Sequence, residues 1–226
     1  WGSDYYGQLG GAVKGSKAVP TAVQYMVGIE AIAVGGRHTC VLHKDSNVSC
    51  WGFNDRGQLG NGKKGNKSVP TAVKGLTNAK TITAGKNHTC AIKNDGSVEC
   101  WGYNSNGQIG MGSGPDKHVP TAVTGLTNAK VIVAGFRHTC ALKDNNSVSC
   151  WGDNKYGQLG DGTLNEKTTP HPVKGLTNVK AIEAGMEHTC VLKYDGTVAC
   201  WGDNGSGRLG NGTMTDKKVP TGVVGL

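Results

Sequence analysis

The chain has 226 residues with a formal net charge of +8, enough for one large all-β domain or two small ones. It holds no run of about 18 apolar residues, which excludes a membrane-spanning helix. The basic excess favours solubility and weak attraction to polyanions and leaves the fold open.

Taken in chain order, the first signal is a repeat. Trp-Gly recurs at Trp1, Trp51, Trp101, Trp151 and Trp201, a step of fifty residues without an insertion. Pro20, Pro70, Pro120, Pro170 and Pro220 keep the same step, as do the His-Thr-Cys triplets beginning at His38, His88, His138 and His188. The chain therefore reads as one repeat domain over 1–226, with units 1–50, 51–100, 101–150 and 151–200 and a partial unit 201–226.

Each unit divides into four short extended segments. In the second unit, the first surrounds Trp51-Gly52 and runs to the turn-rich Gly57-Gln58-Leu59-Gly60. The next covers Val69 to Val73 around a proline, which suits an edge strand. A third runs from Thr81 to Ile92, and the fourth, Val98 to Trp101, leads into the following unit. Cys90 and Ile92 alternate with polar residues, as do Val98 and Cys100, so each strand has one apolar face. Between them Asn94-Asp95-Gly96 reads as a hairpin turn, because Gly accepts a positive φ. Asn146 can take that place in the third unit, and Ser46 fits it less well. Nothing in the unit has helical periodicity.

Four strands in about 50 residues, repeated radially, predict an all-β fold, a β-propeller of four and a half repeats. A β-solenoid is the alternative, with shorter coils. The N-terminal residues offer the same strands as the C-terminal ones, so the edges stay open. The chain is therefore expected to be part of a larger ring or to be completed by another chain. It begins at Trp1 rather than Met, so the lack of a leader says nothing about secretion.

The string Cys-Trp-Gly-x-Asn-x-x-Gly-Gln-Leu-Gly-x-Gly at Cys50 to Gly62 resembles the repeat of the regulator-of-chromosome-condensation family. Ala-Gly-x-x-His-Thr-Cys-Ala at Ala84 to Ala91 matches the other half of that repeat, and the resemblance covers the whole chain. It implies a propeller, usually of seven blades. A secreted bacterial branch with a Cys pair per repeat is more similar, and a bacterial propeller that inhibits beta-lactamases is a more distant relative. The namesake exchanges nucleotide on a small GTPase and docks on chromatin through a wedge insertion and a tail. No such insertion interrupts the step here, so function does not follow from the fold.

The cysteines fall ten apart: Cys40 and Cys50, Cys90 and Cys100, Cys140 and Cys150, Cys190 and Cys200. With a three-residue hairpin loop the two members lie directly opposite, as a disulfide needs; a two-residue turn would oppose Cys90 to Trp101. Four bridges imply an oxidising compartment, hence a secreted or cell-surface protein. Zinc held by His88, Cys90 and Cys100 is the competing reading, but a structural zinc usually takes four ligands. The expectation is no metal and no cofactor. The recurrent His is read as a packing element bonded to backbone, and the recurrent Trp as a plug between blades. Asn54, Asn104, Asn154 and Asn204 are expected to tie turns through backbone amides.

Function is sought where the repeat leaves residues free. Between Ala-Gly and His stand Gly36-Arg37, Lys86-Asn87, Phe136-Arg137 and Met186-Glu187. Arg, Phe and Met there suit interface anchors, and the inhibitor relative makes its contacts through loop residues in a similar arrangement. Tyr5, Tyr6, Phe53, Tyr103 and Tyr156 form a second variable set after Trp-Gly. The alternative is that both sets are ordinary solvated loops. Lys17, Lys67, Lys117, Lys167 and Lys217 recur in all five units and could attract an acidic glycan or another polyanion. They could equally guard a strand edge. No aromatic residues interleave with them, which argues against nucleic acid.

The leading expectation is an extracellular or cell-surface scaffold that binds a macromolecular partner, a protein above all, through one propeller face. A filament or surface assembly built by pairing open half-blades is a second expectation, and the lysine rim a third. An enzyme is not expected: there is no carboxylate pair or nucleophile elbow, and His43, His118 and His171 are scattered among loops.

Overall fold

The computed structural model describes residues 1–11, 15–24 and 26–225. Among the described residues, sixteen strands form four antiparallel sheets in sequential order. The first sheet holds β1 (Ile29–Val34), β2 (His38–His43), β3 (Val48–Gly52) and β4 (Lys67–Ala72). The second holds β5 (Ala79–Ala84), β6 (His88–Lys93), β7 (Val98–Gly102) and β8 (Lys117–Ala122). β9 (Ala129–Ala134), β10 (His138–Lys143), β11 (Val148–Gly152) and β12 (Lys167–Pro172) make the third. The fourth comprises β13 (Val179–Ala184), β14 (His188–Lys193), β15 (Val198–Gly202) and β16 (Lys217–Gly222). β1, β5, β9 and β13 neighbour one another along an axis, so the sheets are propeller blades in an open arc.

Two of the predicted segments are redrawn. The run from Thr81 to Ile92 is not one strand: it folds back at Gly85-Lys86-Asn87, so that Thr83 pairs with Cys90 and Ala84 with Thr89. The segments at Val98 and at Trp101-Gly102 are one continuous strand, β7. Each blade therefore takes its outermost strand from beyond the next Trp-Gly, and blade boundaries are offset from the Trp-counted units. Pro70 sits within β4, the outer strand, where the register slips between Cys50 and Gly52 and a missing N–H costs nothing.

The hairpins close as the three-residue loop requires. Lys93 N donates to Ser97 O and Gly96 N to Lys93 O, both at 2.9 Å, which places Cys90 opposite Cys100. The same register holds in each blade, and the pairs Cys40–Cys50, Cys90–Cys100, Cys140–Cys150 and Cys190–Cys200 are disulfides. No free thiol is left to ligate zinc. Ser46 adopts φ of +65°, close to the +63° of Asn146, so the hairpin register imposes the left-handed turn even on a serine.

Trp51, Trp101, Trp151 and Trp201 are plugs between blades, whereas Trp1 is exposed. Trp101 packs into the first blade against Leu42, Val48, Leu59 and Val73. Trp151 and Trp201 do the same one and two blades on. Each indole N–H donates to the main-chain carbonyl of a Gln in the preceding unit, as Trp101 Nε1 does to Gln58 O at 2.9 Å. Gly60 lies beneath this ring, and a Cβ there would stand 2.7 Å from Trp101 Nε1. Truncating one such Trp to Ala costs roughly 3–5 kcal/mol.

The described residues of the N-terminal segment, 1–11 and 15–24, repeat the outer pattern of a blade. Gly2 and Lys17 exchange backbone hydrogen bonds of 2.7 and 2.9 Å, and this segment receives Trp51 through Gln8 O.

Candidate functional site: the loop face around the axis

The turn that breaks the predicted third strand also builds the site. Gly85 N donates to His88 O at 2.9 Å, turning the chain at the axial end of the blade. Gly85 is required by space: an added Cβ would lie 2.3 Å from His88 Cε1 and 2.4 Å from Gly135 O of the neighbouring blade. The next residues, Lys86 and Asn87, are thereby held half-buried at the loop face. Asn87 O then accepts from Tyr103 N at 2.9 Å, and Arg37 O from Phe53 N at 2.8 Å. Asp153 N and Asp203 N bond to Arg137 O and Glu187 O in the same way. The two variable sets, separate in sequence, thus adjoin on one face.

Near the N-terminal segment, Arg37 donates to Tyr6 Oη at 3.0 Å and lies 5.0 Å from that ring. Tyr6 contacts Tyr5 and Phe53 edge-on, each with ring centroids 4.8 Å apart. Tyr103 carries Arg56, itself paired with Asp116 at 3.4 Å, and Tyr156 carries Lys155. At the axis, Lys86 Nζ sits 3.8 Å above the Phe136 ring, with Arg137 5.9 Å from its centre. Gly36, Lys86, Phe136 and Met186 edge a cavity of about 400 Å³ whose walls are otherwise small residues such as Ala84 and Ala134. Met186 is exposed.

Charge is unevenly divided. Burial, then Arg137 and Arg37, push the Lys86 ammonium below the usual lysine range. Glu187 is pushed up by burial and then by Asp153, against the pull of Arg137. Its carboxylate accepts from Gln158 Nε2 at 3.0 Å.

Lys67, Lys117, Lys167 and Lys217 begin the outermost strands opposite Gly52, Gly102, Gly152 and Gly202, and Lys17 stands opposite Gly2. Because Gly52 also pairs with His38, these lysines occupy the same end of the blades as the axial turns, at the perimeter. Lys167 is tied to Asp161 at 3.4 Å, so the five are not equivalent.

The repeated polar residues are used in holding blades together. His38 Nε2 contacts Thr89 Oγ1 at 2.9 Å and His138 Nε2 contacts Thr189 Oγ1 at 3.0 Å, so the ring pairs with a side-chain hydroxyl of the next blade rather than with backbone. Asn54 Oδ1 accepts from Leu59 N at 3.0 Å, as expected, while its Nδ2 donates to Lys63 O at 2.9 Å. Asp4 takes this place in the first unit and accepts from Leu9 N at 2.8 Å and Gly15 N at 3.3 Å.

Sequence reasoning missed the Gln of Gly-Gln-Leu-Gly as part of the face. Gln58, Gln108 and Gln158 are buried, and the side-chain amides of Gln58 and Gln158 donate to the second variable residue 29 positions on. The signal was present in the fixed spacing, but only the blade-to-blade contact gives it meaning.

Four-stranded antiparallel blades around an axis, with loops gathered at one end, define a β-propeller scaffold whose exposed chemistry is carried by turns. The chain belongs to the RCC1-like domain family, whose profile matches residues 1–226. Human WBSCR16 is similar in structure, with a TM-score of 0.88 at 25% identity over 99% of this chain and 61% of that one. Yeast RCC1 (Prp20), solved with Kap60, gives a TM-score of 0.79 at 25% identity, covering 92% of this chain and 50% of the other. The ectodomain of the Physcomitrella patens receptor kinase CR4 gives 0.57 at 26% identity, covering 82% and 44%. This chain thus spans between about half and three-fifths of the length of the first two. No curated protein matches it by sequence.

Proposed function

We propose that this chain is a non-catalytic binding scaffold of an oxidising, extracellular or cell-surface compartment, and that it engages a protein partner through the loop face around the axis. The observation that carries this reading is a division of labour. Trp, His, Thr and Asn of the repeat are consumed in bonds within and between blades, while the residues that vary from unit to unit adjoin on one face. Exposed Arg, Met and aromatic groups beside a concave apolar opening are the composition of interface anchors.

Two further observations support it. The yeast relative is described with Kap60 bound and with binding properties toward Gsp1p and histones, and the plant relative is the ectodomain of a receptor kinase. Four disulfides fit an oxidising compartment. There is no helix among the described residues long and apolar enough to cross a membrane.

The test replaces Phe136 and Arg137 with Ala and measures affinity for a purified protein partner by titration calorimetry. Truncating such anchors should weaken binding by at least about tenfold, with an unchanged thermal midpoint. Undiminished affinity in the folded variant would count against this face.

A further inference from the structure

The Gln amides beneath the loop face do not all find partners. Gln58 Nε2 donates to Asn87 Oδ1 at 3.5 Å, and Gln158 Nε2 donates to the Glu187 carboxylate at 3.0 Å. The residue in the matching position for Gln108 is Arg137, which has no acceptor to offer. Gln108 is fully buried, and its Nε2 has no hydrogen-bond partner among the described residues. The amide is not free to turn over, because its Oε1 already accepts from Asn106 N at 3.0 Å. A buried N–H left unpaired is costly and calls for an explanation.

Arg137, the residue 29 positions on from Gln108, belongs to a cationic group on the loop face. Arg137 and Lys86 both approach the Phe136 ring, and neither is ion-paired among the described residues. Burial first, then repulsion from Arg137 and Arg37, depresses the basicity of Lys86 against the opposing pull of Glu187. Arg37 is a different case, since its guanidinium is engaged with Tyr6. One blade along, a carboxylate from the protein itself, that of Glu187, satisfies the equivalent Gln.

We infer that Gln108, Arg137 and Lys86 form a carboxylate-binding notch that takes an Asp or Glu of an acidic segment on the protein partner. The carboxylate occupies, beside Gln108, the position that Glu187 holds beside Gln158, and it accepts from the amide and the guanidinium together. An apolar side chain next to it in the segment enters the adjoining cavity of about 400 Å³, past Phe136 and Met186. This assignment rests on the loop-face reading and adds the chemical class of the ligand.

The test uses a fluorescein-labelled peptide of alternating Glu and Leu, with a Lys and Leu peptide and a sulfated oligosaccharide as comparisons, followed by fluorescence anisotropy. The acidic peptide should bind and lose affinity several-fold between about 50 and 300 mM salt, and the basic peptide should not bind. Arg137→Glu supplies the missing acceptor from within, so it should keep or raise the thermal midpoint while weakening the acidic peptide by at least about tenfold. Lys86→Ala should weaken it less. Equal affinity for the wild type and Arg137→Glu would overturn the notch. So would an acidic peptide indifferent to Arg137→Glu while the oligosaccharide is lost on Lys67→Ala/Lys117→Ala, which places anion recognition on the rim. If a purified protein partner is lost on Phe136→Ala yet ignores Arg137→Glu, the loop face stands and the carboxylate assignment fails.

Discussion

His88 Nε2 lies 2.9 Å from Thr139 Oγ1 of the next blade, and that hydroxyl is 2.8 Å from Gln108 O. The carbonyl can only accept, so the hydroxyl proton is spent on it and the ring must donate from Nε2. This fixes the tautomer and leaves Nδ1 as a bare acceptor, buried and without a partner among the described residues. His38 and His138 stand in the same relation to Thr89 and Thr189. The repeated His is therefore a neutral strut between blades.

Such a strut is sensitive to acid. Burial pushes His38 down to about 4, and burial with the neighbouring rings pushes His88 and His138 to about 3. The unfolded chain takes up these protons near pH 6.5, before the folded one can. The stability tied to neutral rings is thus fully present above about pH 6.5 and drains away as pH falls toward 4 and below. For His38 alone the shift amounts to about 3 kcal/mol once pH falls to 4 or lower. Urea midpoints measured from pH 7 to pH 4 should fall steadily, and His88→Gln should flatten that slope. A midpoint independent of pH in this window would contradict the strut.

Gly85 and Gly125 separate two reasons for glycine. At Gly85 a Cβ would collide with His88 and with Gly135 O at 2.4 Å or less. Gly125 has φ of +72° and open space around it. Gly85→Ala should cost more than about 3 kcal/mol because backbone must move, and Gly125→Ala only about 1–2 kcal/mol, from the left-handed conformation. Denaturant unfolding of the two variants checks the order.

Each disulfide closes a hairpin between cysteines separated by ten positions. Loops of that size gain about 2–3 kcal/mol from restricting the unfolded chain. Replacing both Cys90 and Cys100 with Ala should therefore lower the urea midpoint accordingly while preserving β circular dichroism. Unreduced protein denatured in guanidinium should expose no reactive thiol, and reduced protein eight. A thiol titre of eight before reduction would refute the pairing.

Much of the fold was legible because it is local. The hairpin at Asn94-Asp95-Gly96, and with its three-residue loop the facing of Cys90 and Cys100, follow from alternation and turn chemistry within about a dozen residues. The break at Gly85 was not legible. An extended reading of Thr81 to Ile92 satisfies strand propensity, and the reason to turn lies in the Gly135 carbonyl fifty residues on. The candidate residues vary from unit to unit and several, such as Lys86 and Phe136, are half-buried; the bond from Phe53 N to Arg37 O continues the ladder that pairs His38 with Gly52, so it followed once the hairpin register was known.

The amino-acid order by itself determined the repeat and the ten-residue spacing of the cysteines; the three-residue hairpin loop then settled the register and the sulfur pairing. Packing of one blade on the next decided that His must be neutral and that Gln108 lacks the acceptor its counterparts possess. Those outcomes come from atoms 29 to 51 residues apart, brought within bonding distance only when neighbouring sheets bury the Trp between them.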